Sequence, residues 1–232
     1  MYESRLRENL PRITEAIEEA AGRVGRGEGE VTLVAVTKAH PPEALKAALA
    51  LGLNDLGENR VEEMEEKVGI LGGEAAIWHM IGHVQSRKAR PVSEMADLVQ
   101  SLDSLKLGRR LSSFAEEAGR ILPALVQVNT SGEDAKHGFS PPEALEAIHQ
   151  FLDLPGLEVR GLMTMAPFVD DEAILRRTFA GLRRLQEEAV GALPAYHGTH
   201  LSMGMTNDFE LAVEEGSTMV RIGTALFGER PR

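Results

Sequence analysis

The sequence predicts a closed (β/α)8, or TIM, barrel of the α/β class with one extra helix at its N-terminus. Three observations carry this reading. Short apolar runs alternate with helical segments along almost the whole chain, and strict alternation produces a parallel sheet. Eight such strand–helix units fit into about 200 residues, near the lower size limit of a closed barrel. The first run, VTLVAVT (31–37), is a continuous β-branched run, as expected of a strand covered on both faces. An open doubly wound sheet is the structural alternative.

The elements follow in order. Residues 4–22 read as the extra helix, because Leu6, Leu10, Ile13, Ile17 and Ala20 fall on one stripe. The glycine-rich GRVGRGEGE (22–30) ends it. That stretch contains G-x-G, but no strand precedes it and no helix opens directly after it, so it reads as a linker loop. VTLVAVT (31–37) is the first strand, and Pro41-Pro42 starts the helix that runs to Leu51. LNDLG (53–57) precedes a charged helix, Arg60–Val68. AIWHMIG (76–82) precedes a basic helical stretch, and ADLVQSL (96–102) precedes helix 104–119. ILPALVQVN (121–129) leads through a loop to helix 141–152, opened by a capping box of Ser140 and Glu143. LEVRGLMTM (157–165) precedes helix 171–190, with Ile174, Leu175, Phe179, Leu182 and Leu185 as its buried stripe. The last two strands lie in Leu201–Gly228, and each is expected to run straight into a helix. PPEAL occurs at 41–45 and 141–145, too short a repeat to establish a half-barrel duplication. No linker divides the chain, so one domain over 1–232 is expected.

Composition excludes several classes. Hydrophobic residues make up 43% of the 232, enough to bury a core. Aromatics are 4% and the net charge is −11, which argues against a nucleic-acid binder. Arg176, Arg177, Arg183 and Arg184 form the densest basic run, read as a solvated helix face. There is no cysteine, which excludes disulfides, thiolate metal sites and a cysteine nucleophile, and fits a cytoplasmic protein. No apolar run reaches the ~18 residues of a membrane span, and MYESRLRENL lacks the apolar region of a signal peptide. Asn129-Thr130-Ser131 matches a glycosylation pattern that carries no meaning without a secretory signal.

In a barrel, the chemistry gathers at the C-terminal ends of the strands. That rule picks out Lys38, Glu58, Asn59, His79, His83, Met163, Met165, Ser202, Met203, Gly204, Arg221, Gly223 and Thr224. Lys38 ends a fully apolar strand. Desolvation there lowers a lysine's pKa and exposes a nucleophilic amine, suited to a Schiff base. The other reading is a lysine that snorkels to the rim and pairs with Glu58. Ser202, Gly204, Thr206, Gly223 and Thr224 are small residues where strands open into helices, which suits a phosphate. Pyridoxal 5′-phosphate (PLP) and a phosphorylated sugar or keto substrate both fit an amine beside a phosphate cradle. Arg221 stands within an apolar run. It is read as a donor to the pyridine nitrogen of PLP, a phosphate clamp or a structural ion-pair partner. His79 and His83 are four apart on a strand, without the carboxylate of a helical zinc motif, and no metal is expected. The loop Asp134–His137 reads either as cover for the pocket or as ordinary surface.

These positions lie in blocks that extend over nearly the whole barrel: VAVTKAH (34–40), LGENRVEE (56–63), WHMIGHVQSRK (78–88), SLDS (101–104), VQVNTSGEDAKHGF (126–139), GLMTMAP (161–167) and LSMGMTNDFELAVEEGSTMVRIGTALFG (201–228). With them the chain closely resembles the pyridoxal phosphate homeostasis protein family. The resemblance implies a fold-type III PLP-binding barrel, like the N-terminal domain of alanine racemase. It implies a Schiff base on Lys38, phosphate contacts from Ser202, Gly223 and Thr224, Arg221 facing the pyridine nitrogen, and Asn59 near the ring. His79, Met163 and Met203 are weaker candidates for lining the pocket. The one departure, methionine in WHMIGH where phenylalanine is frequent, changes no chemistry. The family's role is PLP homeostasis without established turnover, with PLP-dependent apo-enzymes as possible recipients. A racemase needs a second base. The two tyrosines are Tyr2 and Tyr196, and Tyr196 precedes the seventh strand, at the wrong end of the barrel. No second domain is expected after Gly228, so the expectation is a monomeric cytoplasmic carrier that meets neither nucleic acid nor membrane. An aldolase-like or racemase-like Schiff-base enzyme is the alternative.

Overall fold

Eight parallel strands close on themselves in chain order, with β1 paired to both β2 and β8. The structure, a computed structural model, describes residues 2–132 and 137–229. The strands are β1 (Thr32–Val36), β2 (Asp55–Glu58), β3 (Ile77–Met80), β4 (Leu98–Leu102), β5 (Leu122–Gln127), β6 (Leu157–Met163), β7 (His200–Ser202) and β8 (Met219–Ile222). The helices are α1 (Tyr2–Arg23), α2 (Pro42–Ala50), α3 (Val61–Leu71), α4 (Ala89–Met95), α5 (Leu105–Glu117), α6 (Pro141–Leu152), α7 (Glu172–Ala192), α8 (Phe209–Glu214) and α9 (Thr224–Phe227). The closed barrel, rather than the open sheet, is the fold.

Two apolar layers hold it. The larger lies between strands and helices and includes Leu56, Trp78, Met80, Val99, Leu162 and Val220. The smaller fills the barrel interior with Val34, Leu98, Leu125, Met163 and Met219. Neighbouring residues of one strand therefore face opposite layers, as strand periodicity requires. The interior is tight. A Cβ on Gly57 would meet Val34 Cγ1 at 3.0 Å and Ile81 Cδ1 at 3.3 Å.

The extra helix α1 buries the stripe Leu6, Ile13, Ile17 and Ala20, with Leu10 half-buried. It also pins the short α9: Arg5 donates to the Phe227 carbonyl and Asn9 to that of Leu226. At α6, the Glu143 carboxylate accepts from the Ser140 N–H and hydroxyl at 2.9 and 2.6 Å, the contact the capping-box spacing predicts.

Three expectations are corrected. Strand β7 does not run straight into a helix. Residues 203–208 intervene, turned by Gly204 at φ 95°, whose absent Cβ would lie 2.6 Å from Ala212 Cβ. The basic run on α7 is not simply solvated, because Arg176 pairs with Glu214 and Glu215, and Arg183 with Glu215, tying α7 to α8. Ile174 is only half-buried, and the α7 stripe continues over Gln186 and Ala189 instead. Of the loop Asp134–His137, only His137 falls among the described residues. No described helix is long and apolar enough to cross a membrane.

Candidate ligand-binding site

A pocket of about 280 Å³ opens at the C-terminal ends of the strands. Its inner wall is the top layer of inward-facing residues: Val36 and Lys38 of β1 and the turn after it, Asn59 after β2, Ile81 after β3, Met165 after β6, and Arg221 and Gly223 at β8. They stand one or two strand periods above the interior layer: Val36 one above Val34 and Met165 one above Met163, Lys38 and Gly223 a further period up. The outer wall is His40, Pro167, Phe168, the loop Met205–Asp208, and Thr224.

The turn that carries Lys38 is clamped from both sides. The Lys67 ammonium, on α3, donates to the Thr37 carbonyl at 2.8 Å and to Glu58 Oε1 at 2.6 Å. The Thr37 hydroxyl donates to the same Glu58 oxygen at 2.5 Å. The Ala39 N–H donates to Glu63 Oε2 at 2.7 Å, and His40 N–H closes back on the Thr37 carbonyl. Ala39 takes φ 60°, a left-handed conformation that costs energy for a residue with a Cβ. Glu58 is fully buried, and its ion pair is with Lys67. Burial pushes the Glu58 carboxyl above its ordinary pKa, against the pull of Lys67 and Thr37.

Arg221 is buried within the barrel, and desolvation lowers its pKa to about 10. Its partners are neutral oxygens: Nη1 donates to Ser202 Oγ at 2.6 Å and Nη2 to the Thr164 carbonyl at 3.0 Å. A guanidinium has five N–H donors, so three remain. Among the described residues no carboxylate forms an ion pair with it. Asp208 attracts it from farther off, while burial raises the pKa of Asp208.

Of the eight residues expected to bind ligand, five meet in this pocket: Lys38, Asn59, Arg221, Gly223 and Thr224. The other three do not line it. Ser202 faces inward but is buried beneath, between Arg221 and Gln100. Met163 lies in the interior layer, one period below Met165. Met203 follows the inward-facing Ser202 and so packs in the outer layer. His79 is also buried, between Asp55 and Gln100. His83 is at the rim, 2.6 Å from Asp103 Oδ2 and stacked on His137. His79 and His83 therefore do not converge on one ligand. Among the described residues, His83, Asp103 and His137 are the group close enough to hold a metal.

Sequence reasoning missed His40 and Asp208 as pocket residues. His40 reaches the pocket through the left-handed turn at Ala39, which strand alternation does not report. Asp208 likewise had no signal, because its place depends on the Gly204 turn. Tyr196 is buried, donating to Gln186 Oε1 at 2.7 Å, and does not line the pocket. The Tyr2 hydroxyl lies 3.4 Å from His40 Nδ1, behind the pocket wall.

The sequence profile of the alanine racemase N-terminal domain matches residues 9–231. The pyridoxal phosphate homeostasis protein of Aquifex aeolicus is 39% identical over 227 residues, 96% of this chain and 97% of that protein. Its counterpart in Pseudomonas aeruginosa is 41% identical over 230 residues, 98% and 96% of the two chains. PipY of Synechococcus elongatus, solved with PLP bound, superposes with a TM-score of 0.82 at 37% identity, over 91% of this chain and 100% of that one. Alanine racemase of Clostridium difficile, solved with cycloserine, matches 99% of this chain and 60% of its own with a TM-score of 0.77. At 16% identity that likeness speaks for the barrel alone. By profile, length and identity, this chain belongs to the pyridoxal phosphate homeostasis protein family, built on the alanine racemase N-terminal barrel.

Proposed function

We propose that the pocket binds PLP through a Schiff base on Lys38 and that the protein acts in intracellular PLP homeostasis as a carrier or buffer. The observation that carries this is the pairing of Lys38, on a clamped turn, with a buried Arg221 whose partners are all neutral. A buried cation hydrogen-bonded only to neutral oxygens, with Asp208 attracting it from farther off, is costly, so the pocket favours an anionic ligand with an acceptor facing the guanidinium. A phosphorylated pyridine aldehyde supplies an aldehyde for the amine, a ring nitrogen for the guanidinium and a phosphate. When bound, PLP supplies an imine-forming carbonyl and a ring able to accept electrons. Arg221 can only donate, which keeps the ring nitrogen unprotonated and weakens that electron sink. This supports binding over turnover.

Gly223 and Thr224 are assigned to the phosphate end and Asn59 to the ring side. Ser202, on this reading, acts on the ligand through Arg221. The pocket draws on residues from Val36 to Thr224, which supports treating 1–232 as one ligand-binding domain. Relatives' names support PLP as ligand. Delivery to apo-enzymes, a monomeric state and a cytoplasmic location belong to the same proposal.

The test is the absorbance of the purified protein with PLP. A visible band that borohydride removes, and that is absent from Lys38→Ala, is expected. A colourless protein trapped by borohydride only with a sugar phosphate overturns the reading in favour of an aldolase-like lyase. A racemase-like reading has its own candidates in the pocket, His40 and Asp208. Turnover of L- to D-alanine at enzyme-like rates, lost in His40→Ala or Asp208→Asn, would establish it.

A further inference from the structure

A file of polar side chains crosses the otherwise apolar interior of the barrel. Arg221 Nη1 donates to Ser202 Oγ at 2.6 Å, and the Ser202 hydroxyl donates to Gln100 Oε1 at 2.6 Å. Gln100 Nε2 meets His79 Nδ1 at 2.9 Å, and His79 Nε2 meets Asp55 Oδ1 at 3.0 Å. The line joins β8, β7, β4, β3 and β2. Arg221, Ser202, Gln100 and His79 are buried, and the Asp55 side chain, at the first residue of β2, is 25% exposed.

Its polarity runs one way. A guanidinium can only donate, so the Ser202 oxygen accepts from it, and the Ser202 hydroxyl donates onward to Gln100 Oε1. That fixes the Gln100 carbonyl toward Ser202 and its amide nitrogen toward His79. Nδ1 of His79 must then accept, which leaves the proton on Nε2, where the Asp55 carboxylate takes it. Reversing any one joint leaves two donors or two acceptors face to face. Packing does not require the line, because the same layer is filled by Val34, Leu98, Leu125, Met163 and Met219. A buried polar network costs more than apolar filling unless its members are satisfied, and here each joint from Arg221 to Asp55 is made, with the spare donors of the line's upper end left at the pocket.

We infer that Ser202, Gln100, His79 and Asp55 are positioning residues for Arg221, anchoring the guanidinium that lines the ligand pocket to a carboxylate at the opposite mouth of the barrel. The line holds the Nη1 side of the guanidinium on Ser202 and leaves its remaining donors for the ligand. It couples a rim carboxylate to ligand binding with no contact between them.

The inference rests on the PLP reading for its affinity arm alone, so two measurements separate the two claims. In ligand-free protein, arginine-selective 15N NMR should show separate Nη1 and Nη2 signals for Arg221, because rotation about its terminal bond is held. Gln100→Leu and Ser202→Ala should merge them. Ser202→Ala removes a single oxygen and covers the case in which Gln100→Leu does not fold. With PLP added, Gln100→Leu should weaken binding about tenfold, as expected when a buried polar partner is deleted. Asp55→Asn should weaken it about threefold through the line. Asp97→Asn is the control: it removes a carboxylate that accepts from the Trp78 N–H just before β4, and should leave affinity within about twofold. Unmerged Nη signals in both interior variants, or Gln100→Leu and Asp55→Asn binding PLP like the parent, overturn the inference. Merged signals in a protein that fails to bind PLP uphold it and overturn the ligand reading.

Discussion

Arg221 shows how one side chain links barrel and pocket. Its cationic charge is solvated by a hydroxyl and a carbonyl, and Asp208 stands in the pocket wall as its nearest electrostatic counterweight. Asp208 is held protonated above its ordinary value of 3.8 by burial, which outweighs the Met205 N–H and the pull of Arg221. A raised carboxyl stabilises the fold while it keeps its proton. That contribution is full below the ordinary carboxylate range and is lost as pH rises through the raised value. Asp208→Asn removes the titration and, through its own oxygen, can keep the contact to Met205 N–H. Its urea stability should therefore fall less than the parent's between about pH 4 and pH 7. The buried pair Glu58–Lys67 makes a second case. Lys67→Met strands the Glu58 carboxylate, whose remaining partner is the Thr37 hydroxyl, and should cost about 3–5 kcal/mol at neutral pH. Protonating Glu58 removes the stranded charge, so denaturant titrations should show a smaller loss in acid.

Strands decide which residues reach the pocket, through their period of two. On β1, the residues Val34, Val36 and Lys38 climb one inward face from interior layer to pocket. On β6, the same period puts Met165 in the pocket and Met163 in the layer beneath it. On β7, Ser202 takes the inward face and Met203 is thereby turned outward. The strands themselves were legible in the sequence, but which of two adjacent residues faces inward, as with Ser202 and Met203, and the height at which the pocket floor crosses each strand were not. That height depends on the stagger of the closed sheet. Gly57 tests the packing of these layers. Gly57→Ala inserts a methyl 3.0 Å from Val34 and 3.3 Å from Ile81 and should cost about 1–3 kcal/mol. Because Ile81 is pocket wall, PLP affinity should fall with it. Thermal unfolding and a PLP titration check both.

Over the whole barrel, the helices are tied by partly exposed ion pairs as well as by the outer core. Arg23 of α1, Arg176 of α7 and Glu214 of α8 converge, with Arg176 bonded to Glu214 at 2.5 Å and Arg23 at 2.6 Å. These charges are partly solvated, so Arg176→Ala should lower stability by less than about 1 kcal/mol, a difference that high salt erases. Calorimetry in low and high salt measures it. The order of strands and helices, the lysine at the end of β1 and the arginine in β8 were all written in local pattern. Those features depend on neighbours a few residues apart, which period and propensity report directly. Three things depended on the fold closing: the depth of the pocket floor, the arrival of Asp208 through the Gly204 turn, and the polar line from Arg221 to Asp55. The polar line joins residues far apart in the chain, such as Gln100 and Ser202, and only ring closure with a fixed stagger brings them within hydrogen-bond reach.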